Sequence, residues 1–396
     1  LIYRLLRAPS GDTLSFPEGL EFKEVSMSFF KRALQEGSIR RVTEAGGEDL
    51  FLEGLEGAPL FACVIGSTKT ALIEGISAAG ATPEKRRFTA ALDSEFLIHG
   101  RPLSLPDIPR NPEGPPSPVV ITHAALKELG VIPLIVDSGT EVPPKTPLIT
   151  LGFSPGEDIR TGRALTLTQD FKSQCRAVGR ALANQRPWVI LSESVPGGTT
   201  TALSLLEALG VGGTGMVSSS MPGGNHSLKE EVVRQALKAA ALKPSAGGLE
   251  ISAAVGDPMQ PALALMALEA SLHVPVVLGG GTQMAAVYAL MARLTDEGEP
   301  GDLSRVALAT TSWVAADPAA DLKAILHSIS PTPAAFAAWL DFSASKLLGL
   351  RRYEEGLVKE GVGAGAAAFA AFGVTGIKHD DMVRAIEVVT EGLDDL

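Results

Sequence analysis

The chain has 396 residues, of which 45% are apolar, 5% are aromatic and 42 are glycine. This apolar content excludes a disordered chain, and a formal net charge of −11 argues against a nucleic-acid-binding protein, which usually carries a basic face. The two cysteines are isolated and no two histidines have zinc-protease spacing, so we predict no metal site and no disulfide. A chain without disulfides is typical of the cytoplasm, where we expect this protein.

The first 57 residues are predicted to form a partly helical appendage, because residues 26–34 place Phe29, Phe30 and Leu34 on one helix face. The opening residues are too few and too charged for a signal peptide. Two uncharged stretches, 271–292 and 361–377, are interrupted by glycines or are shorter than the ~20 residues of a membrane-spanning helix. We therefore expect no membrane association.

From residue 58 onward, short apolar runs alternate with longer amphipathic segments, which predicts strands joined by helices. Strands are predicted at 60–65, 131–136, 188–191, 274–278 and 305–310, and helices at 122–129, 166–184, 199–209, 282–294 and 380–391. A further helix is predicted to begin at Ser227, with Glu230 as its capping-box partner, and to end before Pro244. From residue 333 onward the pattern predicts mainly helices.

This alternation predicts an α/β fold, with a parallel β-sheet covered by helices on both faces in a Rossmann-like three-layer arrangement. We predict an N-terminal appendage at 1–57, a nucleotide-binding α/β domain at 58–330 and a helical segment at 331–396.

The most informative loop lies between the predicted strand at 188–191 and the predicted helix at 199–209. It carries Gly197, Gly198, Thr199 and Thr200 where the helix begins. The free N–H groups and the dipole of a helix N-terminus bind anions, and glycine lets a phosphate approach the backbone. The loop therefore predicts a phosphate site, and an ordinary helix cap is the alternative.

Three more glycine loops occur in the chain, two of them after or beside predicted strands. Because ligands bind at the carboxyl ends of parallel strands, we expect the loops to share one cleft. Lys229 follows the second loop at a helix start, where a lysine opposes the helix dipole unless it contacts an anion, and an exposed lysine is the alternative. The candidate ligand-binding residues of these three loops are Gly213, Thr214, Gly215, Gly280, Gly281, Thr282, Gly361, Gly363 and Gly365.

Glu193, Asp257 and Glu360 lie beside the glycine loops. A carboxylate buried among such loops has a raised pKa, as a base that works near neutral pH requires. We predict Glu193 and Glu360 as catalytic residues and Asp257 as a substrate-binding residue. Asp93 and Glu95 form an Asp-x-Glu pair that could reach a metal ion. For each carboxylate taken alone, a surface or loop-capping role is the alternative.

Three segments together resemble one protein family: ESVPGGTTTAL (193–203), GGGTQM (279–284) and KEGVGAG (359–365). They are similar to the archaeal and cyanobacterial branch of the nicotinate-nucleotide:dimethylbenzimidazole phosphoribosyltransferases. The resemblance runs from about Pro59 to Ile377 and includes residues 89–95 and 116–122, whereas residues 1–57 lie outside it.

The resemblance implies a reaction in which a benzimidazole nitrogen attacks C1′ of nicotinate mononucleotide. Nicotinate leaves, and an α-ribazole phosphate forms for the lower ligand of cobalamin. The resemblance also implies a homodimer, no cofactor, and a small helical domain built from both chain ends. By position, Glu193 matches a binding-site glutamate, residues 197–200 match the phosphate and nucleotide loop, and Lys229 matches a lysine that contacts phosphate. Residues 213–215 would face the nicotinate ribotide.

One departure concerns the general base. The bacterial enzymes of the family carry this base, a glutamate, in a Gly-Glu-Gly-Thr-Gly motif. Aligned with residues 361–365, the motif puts Val362 at the position of the base, and valine accepts no proton. Either Glu360 or Glu193 then takes the role, or the chemistry differs. The alternatives are a non-catalytic nucleotide-binding or regulatory module on the same fold, and transfer to a different acceptor such as adenine or a phenol.

Overall fold

The structure is a computed structural model that describes residues 22–80, 82–105, 114–219 and 225–393, with side chains from residue 29 onward. Residues 1–21 of the predicted appendage lie outside the described residues. The strands are β1 (Ile39–Arg41), β2 (Leu60–Ile65), β3 (Leu134–Asp137), β4 (Ile149–Thr150), β5 (Val189–Ser194), β6 (Val276–Gly279), β7 (Val306–Thr311) and β8 (Ala334–Ala338). The α-helices are α1 (Phe22–Glu36), α2 (Glu48–Glu53), α3 (Pro83–Arg86), α4 (Thr89–His99), α5 (Val119–Leu129), α6 (Phe171–Ala183), α7 (Gly198–Ala208), α8 (His226–Ala240), α9 (Gly248–Val255), α10 (Met259–Ser271), α11 (Thr282–Asp296), α12 (Ser312–Ala315), α13 (Leu322–His327), α14 (Leu348–Arg351), α15 (Ala364–Thr375) and α16 (His379–Glu391).

The described strands form one eight-stranded sheet in the order β1-β8-β7-β6-β5-β2-β3-β4. All pairings are parallel except that of β1 with β8, which is antiparallel. After β2 the chain extends the sheet through β3 and β4, and it then returns to the other side of β2 with β5. The carboxyl ends of β2 and β5 therefore flank a topological switch point, where open α/β sheets bind their ligands.

Two apolar cores lie on the two faces of the sheet, because successive residues of a strand point to opposite faces. In β2, Leu60, Ala62 and Val64 belong to one core, and Phe61 and Cys63 belong to the other. Helices α6, α7, α10 and α11 cover the first face, and α4, α5, α15 and α16 cover the second. The predicted three-layer α/β fold is confirmed. No helix among these described ranges is long and apolar enough to cross a membrane.

The N-terminal and C-terminal parts of the described chain contact each other on the second face of the sheet. Helix α1 packs on α15, where the ring centroids of Phe30 and Phe369 are 5.1 Å apart. The prediction of helices after residue 333 is wrong for Ala334–Ala338, which forms β8 between β7 and β1. Alanine favours helices when isolated, but pairing with strands on both sides overrides that preference here. The domain boundaries at residues 57 and 330 stay predictions.

The predicted capping box of α8 is also wrong. The helix begins at His226, so the residue before it is Asn225, and no side chain caps its N-terminus. A capping side chain acts from the residue that precedes the first helical residue, and Ser227 already lies inside the helix.

Candidate functional site

Two of the glycine loops lie side by side at the carboxyl edge of the sheet. Gly197 and Gly198 follow β5 and begin α7, and Gly281 follows β6 and precedes α11. A Cβ on Gly198 would overlap the side-chain amide of Gln283 in α11, so this amide lies directly against the first residue of α7. The loops thus place the N-termini of two helices at one edge, next to the switch point.

The loop at residues 361–365 inserts between the ends of β5 and β7. The Val362 N–H donates to the carbonyl oxygen of Glu193 at 3.0 Å, and the Thr122 hydroxyl donates to the Val362 carbonyl at 3.1 Å. A Cβ on Gly365 would overlap the carbonyl carbon of Thr310, so α15 can begin this close to β7 only with glycine. This insertion carries Glu360 to the carboxyl edge of the sheet.

The loop that contains Gly213, Thr214 and Gly215 lies elsewhere. The N–H groups of Gly213 and Thr214 each donate to Glu207 Oε1 at 2.9 Å, and the Thr214 hydroxyl donates to the same oxygen at 2.7 Å. Glu207 is in the last turn of α7, whereas Gly197 precedes its first turn. The structure therefore places the loop at residues 213–215 at the opposite end of α7 from the other three glycine loops.

Four carboxylates gather at the edge of the sheet, and we call Asp93, Glu193, Asp257 and Glu360 the carboxylate centre. Glu193 is the buried penultimate residue of β5, and its Oε2 accepts the N–H of Val195 at 2.9 Å. Burial raises the pKa of Glu193 to about 8, and the charges of Asp257, Glu360 and Asp93 add to this effect. A carboxyl group with this pKa exchanges protons near neutral pH.

Glu360 is held by donors from two elements. Its Oε2 accepts the Thr310 hydroxyl at 3.1 Å and the Thr311 N–H at 2.9 Å, both at the end of β7. Its Oε1 accepts the N–H groups of Gly361 at 3.1 Å and Gly365 at 3.2 Å. Burial raises the pKa of Glu360 to about 7, although these donors oppose the shift by stabilising the ionised form.

Asp257 and Asp93 complete the centre from opposite sides. The Thr201 hydroxyl of α7 donates to Asp257 Oδ2 at 2.5 Å, and the Ser194 hydroxyl of β5 donates to Asp93 Oδ2 at 2.8 Å. Burial raises the pKa of each aspartate to about 6, against the effect of these hydroxyls. The predicted neighbourhood of Glu193, Asp257 and Glu360 is therefore present, and Asp93 joins it.

The carboxylates of Asp93 and Glu95 do not face a common point where both could contact one metal ion. Asp93 faces Ser194, whereas Glu95 accepts the N–H groups of Leu103 at 2.6 Å and Lys145 at 2.8 Å, so Glu95 fixes two loops. Within the described part of the chain, no group of three or more His, Cys, Asp or Glu residues is placed to hold a metal ion.

Several polar side chains around the two helix starts are buried without a partner. Thr200 Oγ1 in α7 and Thr282 Oγ1 and Gln283 Nε2 in α11 have no hydrogen-bond partner among the described residues. Buried polar atoms in folded proteins are nearly always hydrogen-bonded, because leaving them unpaired costs free energy. These three groups are therefore suited to contact a polar ligand between α7 and α11.

Lys229 lies on the other side of α7 and is only 1% exposed, so the alternative of an exposed lysine is wrong. Its Nζ donates to the Ser218 carbonyl at 2.8 Å. Burial lowers the pKa of Lys229 to about 8, the charge of Lys359 lowers it further, and the charge of Asp317 opposes the shift. Lys359 in turn forms a buried ion pair with Asp317, with Nζ 2.6 Å from Oδ2.

Four residues of this region were missed from the sequence: Thr122, Gln283, Asp317 and Lys359. Gln283 and Lys359 stand inside the motifs already singled out, so those motifs carried a signal for them. Thr122 and Asp317 meet their partners, Val362 and Lys359, only through the tertiary fold.

A mostly parallel sheet covered by helices on both faces defines this chain as a three-layer α/β protein, and solved structures share this fold. The crystal structure of nicotinate-nucleotide-dimethylbenzimidazole phosphoribosyltransferase from Thermus thermophilus matches with a TM-score of 0.55 and 18% identity. The match covers 90% of this chain and 98% of that one. The crystal structure of CobT from the same organism gives a TM-score of 0.55 at 17% identity, covering 91% of this chain and 97% of that one.

Sequence relatives give the family. A UPF0284 protein of Gloeobacter violaceus is 49% identical over 333 residues, which cover 83% of this chain and 87% of the relative. A UPF0284 protein of Archaeoglobus fulgidus is 41% identical over 343 residues, which cover 86% of this chain and 96% of the relative. The chain belongs to the UPF0284 family, and the predicted archaeal and cyanobacterial branch is confirmed. No protein-family model matches the chain.

Proposed function

We propose that this protein transfers the ribose phosphate of nicotinate mononucleotide to an aromatic base such as dimethylbenzimidazole, releasing nicotinate. The observation that carries the proposal is the position of Glu360. Its carboxylate lies at the carboxyl edge of the sheet, with a pKa raised by burial to about 7, in a fold shared with a phosphoribosyltransferase of this type. A base with that pKa is about half ionised at neutral pH, so it can both accept a proton and hold it.

The family motif supports Glu360 as the base when it is aligned two residues earlier. Lys359-Glu360-Gly361-Val362-Gly363 then matches Gly-Glu-Gly-Thr-Gly, with the glutamates coinciding. The side chain of Val362 is 2% exposed and belongs to an apolar core, which suits a structural position. In this alignment the departure from the bacterial motif falls on Lys359 and Val362, and the general base is retained.

The reaction forms one bond and breaks one. Glu360 takes the proton from the acceptor nitrogen, whose electron pair attacks C1′ of the ribose. The bond from C1′ to the pyridine nitrogen breaks, and its electron pair neutralises the pyridinium charge of the nicotinate ring. Positive charge develops at C1′ in such transfers, and Asp93 and Asp257, whose pKa values of about 6 leave them ionised at neutral pH, stabilise that charge.

We assign binding of the ribotide to the N-termini of α7 and α11. The N-terminus of α7, with Gly197, Gly198, Thr199 and Thr200, presents its dipole and hydroxyls to a phosphate. Thr282 with Gly280 and Gly281 adds the second helix start. We include in the proposal a homodimer, which light scattering can test, and a cytoplasmic location, which the two buried free cysteines favour.

A product assay tests the proposal. Purified protein is mixed with nicotinate mononucleotide and, separately, dimethylbenzimidazole, adenine or a phenol, and nicotinate and the new ribotide are followed by mass spectrometry. Release of nicotinate that depends on the base identifies both the transfer and the acceptor. Binding of nicotinate mononucleotide by calorimetry without release for any base, across pH 6 to 9, would overturn the transferase and favour the non-catalytic nucleotide-binding module.

A further inference from the structure

The chain is held in a rare backbone conformation just after Glu360. Val362 has a φ of +56°, in the left-handed region, which is strained for a β-branched residue and persists only where the surroundings fix it. Here its N–H donates to the Glu193 carbonyl, its own carbonyl accepts the Thr122 hydroxyl, and its side chain is buried. The downstream side of Glu360 is therefore anchored to β5 and α5.

The residue before Glu360 anchors the upstream side. Lys359 is only 8% exposed, and its Nζ lies 2.6 Å from Asp317 Oδ2. Asp317 follows α12, the short helix that begins directly after β7, and its Oδ1 accepts the Ala319 N–H at 3.0 Å. The ion pair therefore ties Lys359 to the segment that continues from β7.

Thr311, the last residue of β7, joins this anchor to the carboxylate. Its hydroxyl donates to the Lys359 carbonyl, and its N–H donates to Glu360 Oε2 at 2.9 Å. One residue thus fixes both the main chain before Glu360 and the side chain of Glu360. The positions of Lys359 and Glu360 relative to β7 are therefore coupled.

A buried ion pair is a poor way to stabilise a fold. Taking two charges out of water costs about as much free energy as their attraction returns, and apolar residues in their place are often equally stable or more stable. A role in stability alone would therefore be filled as well by two apolar side chains. What the pair adds here is a fixed position for the peptide that precedes Glu360.

We infer that the Lys359–Asp317 ion pair, together with Thr311, positions Glu360 by holding its carboxylate on the donors at the end of β7. Lys359 and Asp317 are positioning residues, because they act through Glu360. The inference rests on the proposed function, in which Glu360 is the general base. Glycine, which occupies the position of Lys359 in the aligned bacterial motif, offers no side chain for such a pair.

The variant that tests the inference is Lys359→Met combined with Asp317→Leu, which removes both charges together and leaves the net charge unchanged. We expect this double variant to fold, because apolar replacements of buried ion pairs are commonly tolerated. Its kcat should fall by about 10- to 100-fold, with KM for nicotinate mononucleotide changed by less than about twofold, because a misplaced base slows the chemical step. Wild-type kcat in the folded double variant would overturn the inference.

The titration of Glu360 gives a second readout that needs no substrate. The infrared band of its protonated carboxyl, identified by comparison with Glu360→Gln, is followed across about pH 5 to 9 in the free protein. The charge of Glu360 raises the pKa of Glu193 and of Tyr353, and both residues are present in the wild type and the double variant. Losing the donors at β7 should raise the midpoint from about 7 by about one pH unit. A midpoint that is unchanged or lower would overturn the inference.

Two matched comparisons separate positioning from a general loss of stability. Thr311→Val removes the hydroxyl that holds the Lys359 carbonyl and should lower kcat, whereas Thr311→Ser keeps the hydroxyl and should retain most of the activity. Glu269→Gln weakens another buried ion pair, with Arg176 at 2.9 Å, in α10 on the first face of the sheet. It should change neither kcat nor the titration of Glu360. Losses in Glu269→Gln equal to those of the double variant would overturn the inference.

The two proposals fail separately. A raised midpoint in the double variant of a protein that transfers nothing would uphold the positioning of Glu360 and sink the proposed function. Transfer by the double variant with the kcat and the midpoint of the wild type would do the reverse.

Discussion

The carboxylate centre and the neighbouring cavity, which Trp313, Trp339 and Lys359 line, differ in whether a cation balances the buried acid. In the centre, Glu193 and three further carboxylates are crowded so that burial and mutual repulsion raise the pKa of Glu193. In the cavity wall, Lys359 forms a buried ion pair with Asp317. One peptide unit separates the two regions, because Lys359 lines the cavity and the next residue, Glu360, contacts the end of β7.

This difference has a chemical meaning under the proposed function. A ribosyl group that leaves nicotinate carries developing positive charge, which suits ionised carboxylates that no cation neutralises, whereas Asp317 in the cavity wall is paired with Lys359. Each prediction below breaks or sharpens this contrast from one side.

The largest effect is expected from Glu360→Gln, which removes the proposed base and leaves its shape. We expect kcat to fall by about 10²- to 10⁴-fold with little change in KM, because the amide accepts no proton. For the wild-type protein, activity should rise about tenfold per pH unit toward pH 7 and level off above it, because the pKa of Glu360 is about 7 and only the ionised form accepts the proton.

The control for this prediction is Glu231→Gln. Glu231 is an exposed carboxylate of α8 that pairs with Arg234, so its loss removes the same charge far from the centre. Wild-type activity in Glu231→Gln is expected. A Glu360→Gln protein that kept half of the wild-type kcat would remove Glu360 from the role of base and leave Glu193 as the candidate.

The edge of the sheet was largely predictable from the sequence, because a strand followed by glycine and a helix start is a local signal. The predicted strand at 60–65 coincides with β2, and the loops at Gly197 and Gly280 do lie where neighbouring parallel strands end. The loop at Gly213 follows a helix, and its glycines alone misplaced it, because nothing nearby in the sequence shows that Glu207 accepts its N–H groups. A glycine loop predicts a turn, and only the sheet order says at which end of a helix it lies.

The cavity that Trp313, Trp339 and Lys359 line was not predictable, because its parts come from separate segments. Trp313, Trp339 and Lys359 follow or precede different strands and helices, and Arg40 comes from the N-terminal segment. Trp339 directly follows β8, a strand made almost entirely of alanine that resembles a helix when it is considered alone. Unless β8 is known to join the sheet, no sequence pattern brings Trp313 and Trp339 together.

A second prediction concerns how much the carboxylate centre lowers the free energy of unfolding. The pKa of Glu193 is about 8 in the folded protein, above its ordinary value near 4.5. Its contribution to stability is therefore full below about pH 4.5 and is lost as pH rises to about 8. Glu193→Gln should be close to the wild type at pH 4.5 and more stable by on the order of 5 kcal/mol above pH 8. Chemical denaturation at several pH values measures the difference.

Glu95→Gln is the matched comparison, because it should act in the opposite direction. Burial raises the pKa of Glu95, but the Ser104 hydroxyl and three backbone N–H groups outweigh burial and hold this pKa below its ordinary value. Its stabilisation is present above its ordinary pKa and is lost as pH falls through the lowered value. Glu95→Gln should therefore destabilise the protein at neutral pH by about 1–3 kcal/mol. If the free energy of unfolding changed with pH in the same way in both variants, the carboxylate centre would be no more strained than the rest of the fold.

The smallest effect tests the outer wall of the cavity, where β1 offers two adjacent arginines. Arg40 stacks on Trp339, whereas Arg41 forms an exposed ion pair with Asp49. A cation over an indole contributes about 0.5–1 kcal/mol at an exposed site, so Arg40→Ala should lower the free energy of unfolding, measured by chemical denaturation, by about that amount. Arg41→Ala removes the same charge one residue away with only an exposed ion pair, and should leave the free energy of unfolding nearly unchanged. Equal losses in the two variants would mean that the contact with Trp339 adds nothing to the effect of the charge.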